Sequence, residues 1–97
     1  MNPDTILKQL KDHRAEMAER FAVERLGLFG SAARAEMTED SDVDVLVAFR
    51  GPPRFAAYLG LKRYLEQLIG RRVDLITETG LKPRARQSVE RDLIYVP

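Results

Sequence analysis

The sequence predicts an α/β (α+β) fold, a small mixed β-sheet flanked by helices, in a single domain over residues 1–97. Three observations carry this. Apolar residues recur first at helical spacing, then in short β-branched runs, and the two patterns alternate along the chain. Gly30-Ser31, "RGPPR" (residues 50–54) and Gly70 punctuate the alternation at element ends. The 97 residues are 44% hydrophobic and contain no Cys, so the core must hold without disulfides and be small.

The elements follow in order. Asn2 is an N-cap with Pro3 at N1 and Asp4 in the first turn, opening a helix that carries Ile6, Leu7, Leu10, Met17 and Phe21 on one face and ends near Arg20. Val23 to Phe29 reads as a strand. Gly30-Ser31 follows directly, and Ala32 to Ala35 start a short helix. After a polar loop at 36–41, Asp42 to Phe49 reads as a central strand, which "RGPPR" ends. A helix from Arg54 to Ile69 places Phe55, Tyr58, Leu59, Leu65, Leu68 and Ile69 at helical spacing and closes on Gly70. Arg71 to Thr77 is a third strand. A last helix begins near Pro83, and Leu93 to Val96 adds a short terminal strand.

Charge and hydropathy narrow the function. No apolar run approaches the roughly 20 residues that span a bilayer, and the first residues lack a secretory h-region. The expectation is a soluble cytoplasmic protein without membrane contact. The net charge of +1 conceals an acidic first half and a basic second half. Glu36, Glu39, Asp40, Asp42 and Asp44 form an acidic patch, whereas Arg71-Arg72 and Lys82 to Arg86 are basic. That division suits a site for cations and phosphates, or a charged partner, better than a nucleic-acid binder with a basic field over the whole domain.

Side chains alternate across a strand, so Asp42 and Asp44 point the same way, roughly 7 Å apart, with Val43 and Val45 opposite. Two such carboxylates repel, and burying either is costly without a cation between them. An all-oxygen donor set suits Mg²⁺ or Mn²⁺, and the only histidine, His13, reads as an ordinary helix residue. Asp74, in "RRVDLIT", joins the pair if its strand lies beside Asp42–Phe49, giving the three carboxylates of a two-metal phosphoryl-transfer site. Gly30 lets the backbone approach a ligand, Ser31 offers a hydroxyl to phosphate, and Arg34 can pair with one. Each feature alone has an ordinary explanation as a turn, an edge-strand carboxylate or a solvated arginine. Gly-Ser, ten residues, then Asp-X-Asp should arise by chance in on the order of one in a thousand chains of this size.

"GSAARAEMTEDSDVD", Gly30 to Asp44, resembles the signature of the DNA polymerase β-like nucleotidyltransferase superfamily. With "VLVAF", "RRVDLIT" and the short length, the chain resembles the minimal nucleotidyltransferase (MNT) group from Leu26 to "RDLIYV". The resemblance implies the minimal nucleotidyltransferase fold, with Gly30 and Ser31 holding the triphosphate of ATP and Asp42, Asp44 and Asp74 binding two Mg²⁺ ions. It also implies an antitoxin that transfers AMP from ATP to a tyrosine hydroxyl of a HEPN-domain ribonuclease toxin. In the family the motif arginine is followed by glycine, and here Arg34 is followed by Ala35, which bears on the turn. The size predicts no added domain to grip base or acceptor, hence a partner, and leaves homo- or hetero-oligomers open. Two other readings stand beside transfer. One is neutralisation of the toxin by stoichiometric binding. The other is nucleic-acid binding by the basic half, against which the lack of interleaved aromatics argues.

Overall fold

The computed structural model describes residues 2–52 and 54–97. Helices α1 (Pro3–Asp12) and α2 (Arg14–Phe21) precede β1 (Val23–Phe29), α3 (Gly30–Ala33), β2 (Val43–Phe49), α4 (Phe55–Ile69), β3 (Val73–Thr77), α5 (Pro83–Asp92) and β4 (Ile94–Tyr95). The sheet runs β3-β2-β1-β4; β1 is antiparallel to β2 and β4, and β2 is parallel to β3. The mixed sheet expected from the sequence is therefore present. No described helix is long and apolar enough to cross a membrane.

The sheet has two unequal faces. Leu26, Leu28, Val43, Val45, Val47, Val73 and Leu75 pack with Ile6, Leu10, Met17, Leu61 and Leu65 of the helices in the main core. Phe29 and Leu46, on the opposite face, meet only Leu81 and Val89 and the flanking Ile76 and Leu93. Among the described residues this second face is covered by α5 and the residues just before and after it, Leu81 and Leu93. Val23 and Leu26 are both buried although three residues apart, which a regular strand forbids; a bulge between Val23 and Arg25 resolves the parity.

The expected first helix is instead two. At His13 the backbone N–H bonds the Leu10 carbonyl, 3.3 Å away. The His13 ring donates from Nδ1 to the Gln9 carbonyl at 2.9 Å, taking the acceptor that a continuous helix would have given the backbone. The break falls in the apolar gap between Leu10 and Met17. Ala22, left-handed at φ 59°, then ends α2. Elsewhere the differences are short. Asp42 precedes β2 instead of opening it, Arg54 is the N-cap of α4, β3 begins at Val73, and β4 is confined to Ile94–Tyr95. Of the predicted 50–54 break, Pro53 lies outside the described residues, as does Met1.

The edge of β3 is guarded by α4. Glu66 Oε2 accepts from the Val73 N–H at 3.0 Å, and the Tyr58 hydroxyl donates to the Leu75 carbonyl at 2.6 Å. These bonds satisfy outward backbone groups that would otherwise invite another strand, and they fix β3 against β2 at the site.

Candidate active site

Asp44 stands at the centre of the site because of the ladder. Its Cα pairs with Phe29 of β1 on one side and with Asp74 of β3 on the other, so the adjacency on which the three-carboxylate reading depended is observed. Asp44 shares the parity of Leu46 and Ala48 and therefore lies on the sparsely covered face. It is half-buried, whereas Asp42 and Asp74 are exposed. Asp42 leans on Arg72, with Nε 3.2 Å from Oδ1. Among the described residues, no three His, Cys, Asp or Glu side chains are gathered closely enough to enclose a metal ion. The carboxylates are neighbours in an open array, as mutual repulsion requires.

The array nonetheless has the chemistry of a divalent-cation site. Burial first, then the Asp74 and Asp42 carboxylates, push the Asp44 carboxyl up to about 6, against which Arg34 acts only weakly. The ionised form thus lacks compensating positive charge, and the donors are all oxygen, which fits Mg²⁺. A stability signature follows for the metal-free protein. The fold holds the Asp44 proton to higher pH than the unfolded chain, so this group costs nothing below about pH 4, destabilises progressively to about pH 6, and its penalty is constant above. With solvent screening the penalty is about 1 kcal/mol. Asp44→Asn should match the parent's denaturation midpoint near pH 4 and exceed it above pH 6 in chelator-treated samples.

Gly30 sits at the strand-to-helix turn with φ +69°, and a Cβ there would collide with Asp44 Oδ2 and come within 3.1 Å of its Cγ. The missing side chain is what allows the turn and the carboxylate to approach. Ser31 is the next residue and is half-buried. The helix then closes in a Schellman arrangement: the Glu36 N–H bonds the Ser31 carbonyl at 2.8 Å and the Ala35 N–H bonds the Ala32 carbonyl at 3.3 Å. Ala35 occupies the left-handed position, φ 59°, that glycine normally fills. Ala35→Gly should therefore stabilise the protein by about 1 kcal/mol, read as a higher urea midpoint.

Arg34 is placed differently from the sequence expectation of a free phosphate ligand. Its Nε is 3.1 Å from Glu36 Oε2, and its Nη1 is 2.5 Å from Asp92 Oδ2 at the end of α5. These partners, Glu36 first, raise its already high pKa. The guanidinium ties α3 to α5 while keeping its charge near Asp44. Sequence reading missed Asp92, which no local spacing signals. It also missed that Arg71 and Arg72, noted in the sequence only as a basic pair, lie at the site. The parallel register could have shown this, since pairing Asp44 with Asp74 sets position 72 beside position 42.

Residues 10–96 match the nucleotidyltransferase domain family. The protein adenylyltransferase MntA of Thermococcus cleftensis is 45% identical over 87 residues, which cover 90% of this chain and 88% of that protein. A solved structure assigned provisionally as a minimal nucleotidyltransferase is 40% identical, with a TM-score of 0.80 over 97% of this chain and 95% of that one. A chain from the complex of a tri-AMPylated Shewanella oneidensis HEPN toxin with MNT antitoxin is similar in fold, with a TM-score of 0.67 and 16% identity over 94% of this chain and 71% of that one.

Proposed function

This chain belongs to the nucleotidyltransferase domain family, and from that premise we propose that it is an antitoxin that transfers AMP from ATP to a tyrosine hydroxyl of a HEPN toxin. The observation that carries the proposal is the pairing of Asp44 with Asp74 across parallel strands, beside a glycine turn whose missing Cβ leaves room for the Asp44 carboxylate. The curated relative's adenylyltransferase activity and the AMPylated toxin in the Shewanella oneidensis complex support donor group and partner.

Asp42, Asp44 and Asp74 would hold two Mg²⁺ ions, which when bound supply Lewis-acid neutralisation of the triphosphate. Gly30 and Ser31 would seat the β- and γ-phosphates at the turn, and Arg34 would present its charge to them from its anchorage on Glu36 and Asp92. Asp74, the more exposed of the paired carboxylates, would take the tyrosine proton. The tyrosine oxygen then bonds to the α-phosphorus as the bond to the bridging oxygen breaks, and pyrophosphate leaves. The protein's part is to align reactants and balance charge. ATP labelled at the α-phosphate should transfer its label to the toxin, and ATP labelled at the γ-phosphate should release label as pyrophosphate. Label retained in ATP in both experiments, with a stable complex formed, would replace transfer by neutralisation through binding.

A further inference from the structure

Asp44 is fixed by the ladder, but Asp42 precedes β2 and is exposed, so something else must hold it. Arg71 Nη2 lies 2.6 Å from the Thr38 carbonyl, 2.9 Å from that of Ser41 and 3.2 Å from that of Glu39. One guanidinium nitrogen thereby fills the inside of a turn that the Ser41 side chain also closes, with Oγ accepting from the Thr38 N–H at 2.9 Å. On the other side of Asp42, the Val43 N–H bonds the Arg72 carbonyl at 2.9 Å. The backbone of Asp42 is thus clamped at Ser41 by Arg71 and at Val43 by Arg72, the two residues that lead into β3, the strand of Asp74.

We propose that Arg71 is a positioning residue for the reaction: by gathering the carbonyls of Thr38, Glu39 and Ser41, it sets the Asp42 carboxylate in register with Asp44 and Asp74 for the metal ions. The inference rests on the metal-dependent reading above. It assigns a role to a basic residue that solvation or partner docking would otherwise explain. A charged planar donor suits the task because several carbonyls converge on one point, and a carbonyl cluster without a cation would spread. Misplacing a ligand by about 1 Å costs on the order of a hundredfold in rate, so a residue that never touches substrate can still control turnover.

The test is a double-mutant cycle read by Mn²⁺ binding, using electron paramagnetic resonance of the full chain with α,β-methylene ATP. Arg71→Met keeps the apolar stem and removes the donors. It should weaken Mn²⁺ binding about tenfold and lower kcat about 30- to 100-fold with little change in KM for ATP. In the Asp42→Asn background the same change should add nothing, because Arg71 acts through Asp42. Arg71→Lys, which restores one donor, should recover part of the loss and carries the test if Arg71→Met does not fold. Equal Mn²⁺ affinity in the parent and the Arg71 variants, or a full additional loss in the Asp42→Asn background, overturns the proposal. Absence of Mn²⁺ binding by the parent overturns the metal-dependent reading and this proposal with it.

Discussion

Asp44→Asn is expected to abolish adenylyl transfer, lowering the single-turnover rate by about 10³-fold or more, while the protein stays folded. Asp44 is the carboxylate flanked by both others, and its pairing with Asp74 and its burial beside Gly30 give it the most constrained position of the three. Asparagine preserves volume and the ladder but removes the charge that, on the proposed reading, would anchor the cations, a term worth several kcal/mol in the transition state, and about 4 kcal/mol corresponds to 10³ in rate. Folding moves the other way. Because burial first, and the Asp74 and Asp42 carboxylates second, raise the Asp44 carboxyl to about 6, the neutral side chain removes the cost of a partly buried charge and relieves a repulsion at neutral pH. Loss of activity with equal or greater stability is a combination that a structural defect cannot produce. A folded variant within tenfold of the parent rate would remove Asp44 from the chemistry.

Gly30→Ala disables the same site without altering any charge. The left-handed backbone costs an alanine about 1–2 kcal/mol, and the added Cβ must displace Asp44 or the turn. The expected result is a stability loss at the upper end of that range and a fall in transfer of about 10². Gly51 and Gly70 provide the control, for they too have positive φ, +72° and +79°, but a Cβ at either meets nothing within 4 Å. Gly51→Ala and Gly70→Ala should show the backbone cost alone and retain transfer. Adding Asp44→Ala to Gly30→Ala should recover stability but no activity. Equal behaviour of all three alanine variants would deny the contact between Gly30 and Asp44 any role.

What the sequence disclosed and what it hid have physical explanations. The alternation around Val43 to Phe49 is a local property of the pleat, so the facing of Asp44 away from Val43 and Val45 was legible, as were the Gly30 turn and the Gly70 cap, whereas Asp42 falls just before the strand and outside that alternation. Whether Asp74 joins them is a matter of strand order, settled by how β3 packs under α4, and motif spacing alone left it conditional. The break at His13 was hidden because one ring nitrogen competing for the Gln9 carbonyl leaves apolar periodicity unchanged. Arg34 looked free because its partner Asp92 is 58 residues away. Arg71 looked like surface because its partners are backbone carbonyls, which no residue type announces.

The central claim is that this open carboxylate array transfers a nucleotide to a partner protein. The most direct measurement is the intact mass of the HEPN toxin after incubation with this chain, ATP and Mg²⁺, beside the Asp44→Asn and Gly30→Ala chains. Transfer predicts toxin heavier by one or more adenylyl groups with the parent, no addition with Asp44→Asn, and a small fraction modified with Gly30→Ala. An unmodified toxin in a stable complex with the parent, or equal modification by all three chains, would contradict it.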